Sequence, residues 1–289
     1  MTSNTLKTAL FMTVLTVLFI AVGGVLGGRS GVIFAFGFAL LMNFFSYWFS
    51  DKIVLKMYRA KEAKEADAPD LYRIVRNLAT KGNLPMPKVY IVNNPTPNAF
   101  ATGRNPEHGV VAVTTGIMQI LNEDELEGVL AHELSHIYGR DILIGTIAAT
   151  FAGAIMMLAD WARFAAIFGG FSRDNDEGGS PGGIVVLIVV SILAPIAAMI
   201  VQMSISRSRE YLADERGAHL SRKPRALASA LAKISGAADY IPMENANAAT
   251  AHMMIINPLK GKSLLSLFAT HPPVEERIKR LNALAEKIG

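Results

Sequence analysis

Residues 122–150 read NEDELEGVLAHELSHIYGRDILIGTIAAT, and the fold turns on how this stretch divides. Its first half is a helix marked by its own ends. Asn122 is a capping residue, and Glu125, three positions on, completes a capping-box arrangement. Leu126, Val129 and Leu130 keep the helical period, which runs to about Tyr138 and ends near Gly139. From Ile142 to Ala159 there are 18 residues without a charge. About 20 apolar residues, rising 1.5 Å each, match a hydrocarbon core of about 30 Å. A polar, capped helix therefore leads straight into a segment of membrane-spanning character.

Three further runs share that character: Thr8–Leu26 (19 residues), Ser30–Ser50 (21) and Ile184–Ile205 (22). A cleaved signal peptide does not fit the first, because a second span follows within a few residues and no small-residue cleavage site stands out. The third run is the weakest. Asp160, Trp161 and Arg163 interrupt its far end, and the two charges read as an interfacial pair. The composition agrees, with 51% hydrophobic and 18% charged residues against about a quarter charged in soluble domains. A mean hydropathy of +0.33 excludes intrinsic disorder. The lack of cysteine excludes a disulfide scaffold, a thiol nucleophile and cysteine-held metals.

The net charge of +4 is not spread evenly. Lys52, Lys56, Arg59, Lys61 and Lys64 follow the second run; Arg207, Arg209, Arg216, Arg222, Lys223 and Arg225 follow the fourth. The short connections hold little positive charge, Arg29 in one and Arg173 among Asp174, Asp176 and Glu177 in the other. Lys and Arg gather on the cytoplasmic side, so both termini and both polar regions are expected in the cytosol. This topology accounts for the basic charge, and no nucleic-acid partner is expected. The expected architecture is a mainly α membrane protein, four transmembrane helices plus a cytosolic α+β domain with a small sheet. It divides into a transmembrane hairpin (6–50), a cytosolic part with the His-Glu motif (51–141), a second hairpin (142–206, outer loop 169–183) and a cytosolic helical part (207–289).

In the first polar part, Leu71, Ile74, Val75, Leu78 and Ala79 predict an amphipathic helix ended by Gly82, Pro85 and Pro87. Short strands are predicted at Val89–Val92, Ala99–Thr102 and Val110–Val113. Helices are predicted in the second part at Glu210 to about Leu220, Pro224–Ile234 and after Pro272-Pro273. Gly236–Ser263 receives no assignment.

The chemistry lies in His132-Glu133-Leu134-Ser135-His136. Residues four apart on a helix project from one face, so two neutral imidazoles there can chelate one zinc ion. Glu133 lies about 100° round the helix, placed to activate water at the metal and not to ligate it. A hydrolytic zinc site wants a third protein ligand and an open position. A metzincin would carry histidine at position 142, where this chain has Ile142. The gluzincin pattern asks for a glutamate on a second helix, and Glu210 is the candidate, with Asp214 one turn on to accept an outer imidazole N–H. His219 lies about 180° round from Glu210 and is read as a surface histidine; His108 and His252 are read as structural. His136 sits just before the third run and Glu210 just after the fourth, so a helical hairpin would return them to one place at the cytosolic membrane boundary.

The HELSH motif, Arg207–Asp214, Asn98-Ala99-Phe100-Ala101-Thr102-Gly103 and Thr270-His271-Pro272-Pro273 with Arg277 together resemble the HtpX heat-shock membrane metalloproteases, relatives of the CAAX prenyl endopeptidases. The resemblance covers essentially the whole chain. It implies one Zn²⁺ per chain and an endopeptidase of the bacterial cytoplasmic membrane, active on damaged or misfolded membrane proteins under stress. It implies that Asn98, Ala99, Phe100 and Ala101 form an edge strand to which extended substrate adds. His271 would stabilise the oxyanion or orient another ligand, and Arg277 would pair with a carboxylate behind the metal. Three rivals remain. An intramembrane protease fits poorly, because Asn122–Glu127 is too polar for a span. A prenyl-CAAX-type endopeptidase usually carries more spans. A non-catalytic zinc-binding sensor or scaffold would need a fourth protein ligand.

Overall fold

Apolar residues recurring every three to four positions make helices here, and short β-branched runs between Asn, Pro and Gly turns make strands. The structure, a computed structural model, describes residues 3–169, 200, 207–241, 250–256 and 272–288. Helix α1 (Ser3–Met57) doubles back at Gly27 and Gly28. Gly28 has φ 54° and ψ −138°, a combination open to glycine because it lacks Cβ. The limbs touch at glycines, since a Cβ on Gly31 would stand 2.0 Å from the Gly23 carbonyl oxygen. Further along, Phe19 and Phe38 rings lie 5.5 Å apart, and Asn43 Nδ2 donates to Thr16 Oγ1 at 2.9 Å. Helix α5 (Ile142–Gly169) packs Ile147, Phe151 and Ile155 against Phe11 and Leu15 of α1.

Among the described residues one helical segment, Gly27–Phe49, is long and apolar enough to cross a membrane. Of the four expected spans, the described residues support this one, and the other three are not confirmed. The apolar stretches Thr8–Ala21 and Ile142–Gly153 are shorter, the first closed by the glycine-rich bend at 23–28. The fourth run lies outside the described residues apart from Ile200, and so do residues 170–183 of the expected outer loop.

Helix α2 (Pro69–Lys81) buries the five residues its periodicity marked, Leu71, Ile74, Val75, Leu78 and Ala79. A four-stranded mixed sheet follows the order β1 (Lys61–Glu62), β2 (Lys88–Val92), β4 (Val110–Thr114), β3 (Ala99–Thr102). Strand β2 runs parallel to β4, while β1 and β3 are antiparallel to their neighbours. All five residues of β4 are buried, which is why Val110–Val113 is a continuous apolar run and not alternating. Strand β1 was not anticipated; both its residues are exposed and charged, so it carries no apolar signal.

After α3 (Thr115–Ile120), helix α4 (Glu123–Gly139) runs through the middle of the protein. Both bonds of the Asn122–Glu125 capping box form. The helix closes on Arg140, in the left-handed region at φ 56°, one residue beyond the expected glycine. Helices α6 (Arg207–Ser221) and α7 (Pro224–Tyr240) flank α4, and two glycines allow the approach. A Cβ on Gly217 of α6 would meet the His132 nitrogen at 2.8 Å, and one on Gly128 of α4 would meet the Leu227 nitrogen of α7 at 3.0 Å. Two carboxylates near the start of α4 are buried and meet lysines closer to the surface: Glu125 meets Lys233 at 2.8 Å, and Glu127 meets Lys223. Helix α8 (Val274–Ile288) completes the layer by packing on α7 and α6.

Candidate metal centre

Helix α4 supplies His132, Glu133 and His136 to an open cleft of about 550 Å³, solvent mouth included. Helix α6 supplies Glu210, brought alongside by the Gly217 crossing. The two Nε2 atoms stand 3.2 Å apart, Glu210 Oε2 lies 3.8 Å from His132 Nε2, and Glu210 Oε1 lies 3.7 Å from His136 Nε2. Donors held about 2.1 Å from a tetrahedral ion stand about 3.4 Å apart, so this spacing suits one zinc-sized cation.

Each imidazole is aimed from behind. His132 Nδ1 donates to Asp214 Oδ1 at 2.9 Å, and His136 Nδ1 donates to Asp141 Oδ2 at 3.2 Å. Those bonds fix the tautomers and turn both Nε2 lone pairs toward each other and toward Glu210. Such a cluster is repulsive without a cation or a proton inside it, and this is the observation that makes the donor set fit a metal. The electrostatics agree. Burial alone would lower the His136 pKa, but Asp141 and Glu210 beside it push it up to about 10. Burial keeps the His132 pKa below its ordinary value despite Asp214.

Glu133 is 2% exposed and lines the same cleft. Burial raises its pKa to about 7, opposed by His136 and by a hydrogen bond from the Ala101 backbone. Asp214, whose burial would raise it, is held at about 2 by Arg277. That arginine is itself 1% exposed and grips both carboxylate oxygens, Nε to Oδ2 at 2.8 Å and NH2 to Oδ1 at 2.7 Å. Its NH1 donates to the Ile255 carbonyl at 2.9 Å. Arg277 thereby ties α8, α6 and the segment 250–256 together behind the histidines.

The structure thus brings together His132, Glu133, His136, Glu210, Asp214 and Arg277. It treats the four strand residues unequally. Strand β3 lies at the sheet edge, but Ala99 already accepts from the Ile255 amide at 3.1 Å, and Asn98 Nδ2 donates to the Ile256 carbonyl at 3.0 Å. Phe100 is buried against Tyr58, ring centres 5.4 Å apart. Of the four, Ala101 lines the cleft. His271 lies outside the described residues.

His252, read as structural from the sequence, also lines the cleft, with Nε2 donating to the Gly145 carbonyl at 3.0 Å. It sits in a segment whose sequence shows no period, so no signal pointed there. Asp141 was missed as well, although a carboxylate just beyond a His-containing helix end is a recognisable partner for the last histidine. Arg209, counted before only as topological charge, lines the cleft too; burial lowers its pKa against the pull of Asp141 and Glu210.

Comparison with known proteins agrees with this geometry. A model of peptidase family M48 matches residues 65–285. A protein named "Protease HtpX homolog" from Thermococcus kodakarensis is 57% identical over 284 residues, covering 98% of this chain and 97% of that one. One of the same name from Thermodesulfovibrio yellowstonii is 59% identical over 284 residues, covering 98% and 99%. The crystal structure of S. mikatae Ste24p superposes with a TM-score of 0.51 at 16% identity, covering 96% of this chain. This chain spans 65% of that protein, and the likeness speaks for the fold. A helical fold with a small mixed sheet, a buried HExxH helix and relatives at this identity define a membrane metalloendopeptidase. The chain belongs to peptidase family M48.

Proposed function

We propose that the protein is a zinc-dependent endopeptidase that works at the cytosolic face of the cytoplasmic membrane, as a multi-pass protein with both termini inside. Its substrates are misfolded or damaged membrane proteins, and its role is stress-linked quality control. The convergence of two imidazole nitrogens and a carboxylate beside a buried glutamate carries the reading. His132, His136 and Glu210 would hold one Zn²⁺ per chain. When bound, zinc supplies Lewis acidity that polarises the scissile carbonyl and eases deprotonation of water.

The remaining steps belong to the chain. Glu133 takes the proton of the attacking water on its carboxylate and delivers it to the departing amine nitrogen. Asp214 and Asp141 hold the imidazoles in the ligating tautomer, and Arg277 keeps Asp214 ionised and in place. Ala101, with its backbone at Glu133, is where an extended substrate is read by hydrogen bonding, a mode tolerant of side-chain sequence. His271 precedes α8 and is assigned to steadying the oxyanion.

Glu133→Gln tests the assignment. The variant is expected to retain zinc and to lose about 10²–10⁴-fold in cleavage of casein in detergent. Undiminished cleavage would end the role given to Glu133, and stoichiometric zinc with no activity in the wild type would favour a scaffold.

A further inference from the structure

The last turns of the Gly27–Phe49 segment expose Phe44, Phe45, Trp48 and Phe49, and Lys52, Lys56 and Arg59 are exposed directly after them. The protease body reaches back to this ring through Arg104, in the turn after β3. Its guanidinium lies 4.7 Å from the centre of the Trp48 ring. The loop holds it there: Arg104 NH2 donates to His108 Nε2 at 2.6 Å, and His108 Nδ1 donates to Asn105 Oδ1 at 2.7 Å. Lys52, one helical turn after Trp48, lies 5.4 Å from the Phe49 ring centre. The nearby acidic side chains in sequence, Asp51 and Glu107, are outnumbered by Lys52, Lys56, Arg59 and Arg104.

We propose that Trp48, Lys52 and Arg104 form a binding site for the headgroup of an anionic phospholipid, seating the 103–109 loop on the bilayer surface. The span ends at Phe49, so Trp48 stands where hydrocarbon gives way to headgroups, the level at which indoles concentrate. A guanidinium stacked on that indole keeps donors for a phosphodiester while its cationic face is covered. Strand β3 ends two residues before Arg104, so the site also fixes the height of Ala101 above the membrane. The inference rests on the membrane reading of Gly27–Phe49 and is independent of the metal chemistry.

The chain has two tryptophans, so Trp161→Phe leaves Trp48 as the reporter in full-length protein. In phosphatidylcholine nanodiscs, bromines near the top of the acyl chains should quench Trp48 more strongly than bromines at mid-chain. Adding phosphatidylglycerol should shift its emission, and Arg104→Ala should raise the phosphatidylglycerol fraction needed by about fivefold. Arg104→Lys should restore much of that response. Lys52→Ala, which leaves the loop untouched, carries the same expectation should Arg104→Ala fail to fold. Stronger mid-chain quenching, an unchanged phosphatidylglycerol response in the variants, or a shift produced by inorganic phosphate alone would overturn the site. Because fluorescence is the readout, an inactive protease would leave these outcomes standing.

Discussion

Two carboxylates with different surroundings aim the two imidazoles, and their loss should differ accordingly. Asp141 sits at the start of α5, its Oδ2 on His136 and its Oδ1 buried without a hydrogen-bond partner among the described residues. Asp141→Ala is expected to weaken zinc binding about 10–100-fold, measured by competition with a chromophoric chelator, with little loss of fold. Asp214 is also the counter-ion of the buried Arg277, so Asp214→Ala should in addition destabilise the protein by about 3–5 kcal/mol. The double variant Asp214→Ala/Arg277→Met should recover much of that stability in denaturant titrations and none of the metal affinity. The convergence of His132 and His136 was legible because four-residue spacing on a helix dictates a shared face. Asp141, Arg209 and His252 were not, since their roles depend on where α5, α6 and the 250–256 segment come together.

Helices α4 and α6 owe their close crossing to Gly217, and the metal site inherits that closeness. Gly217→Ala would drive a methyl group into the His132 backbone, costing about 1–3 kcal/mol and separating Glu210 from the histidines. Thermal unfolding with and without zinc should show lower stability and a smaller gain from the metal than in the wild type. The other end of α4 is pH-sensitive. Burial of Glu125 opposes its ionisation, but Lys233, Ser229 and the Asn122 amide hold its pKa below the ordinary carboxylate value. Its stabilisation is therefore complete above the unfolded-state pKa, about 4.3, and fades as pH falls through the lower folded value. Glu125→Ala should cost about 1–2 kcal/mol at pH 7, and the gap to wild type should narrow toward pH 3. The capping box was readable three residues apart in the sequence. The ion pairs that hold Glu125 and Glu127 in the interior were not, because Lys223 and Lys233 are about a hundred positions away.

Considered whole, the chain hangs an M48 protease body on α1 and α5. Hydropathy found the apolar runs, and among the described residues Gly27–Phe49 has the length and composition of a full span. Phe11, Leu15 and Phe151 are buried among one another, whereas Ile33, Phe34 and Leu41 on the Gly27–Phe49 limb face outward. Arg29, between the first two runs, marked the place where the chain turns back at Gly27–Gly28. Because the chain lacks cysteine, introduced thiols report topology cleanly. A membrane-impermeant maleimide should label Ser30→Cys, exposed just after the bend, in intact cells and Lys64→Cys only after lysis; the reverse pattern would invert the proposed orientation.

Glu210 joins the two halves of the site across 74 residues of sequence, and its removal tests the centre as a whole. Zinc stoichiometry and casein cleavage should be measured on purified wild type and Glu210→Ala in the same detergent. The expected result is about one zinc and active cleavage for the wild type, with the variant losing both together. A Glu210→Ala protein that holds stoichiometric zinc and still cleaves would show that another side chain completes the coordination, contradicting the assignment of His132, His136 and Glu210 as the metal-binding set.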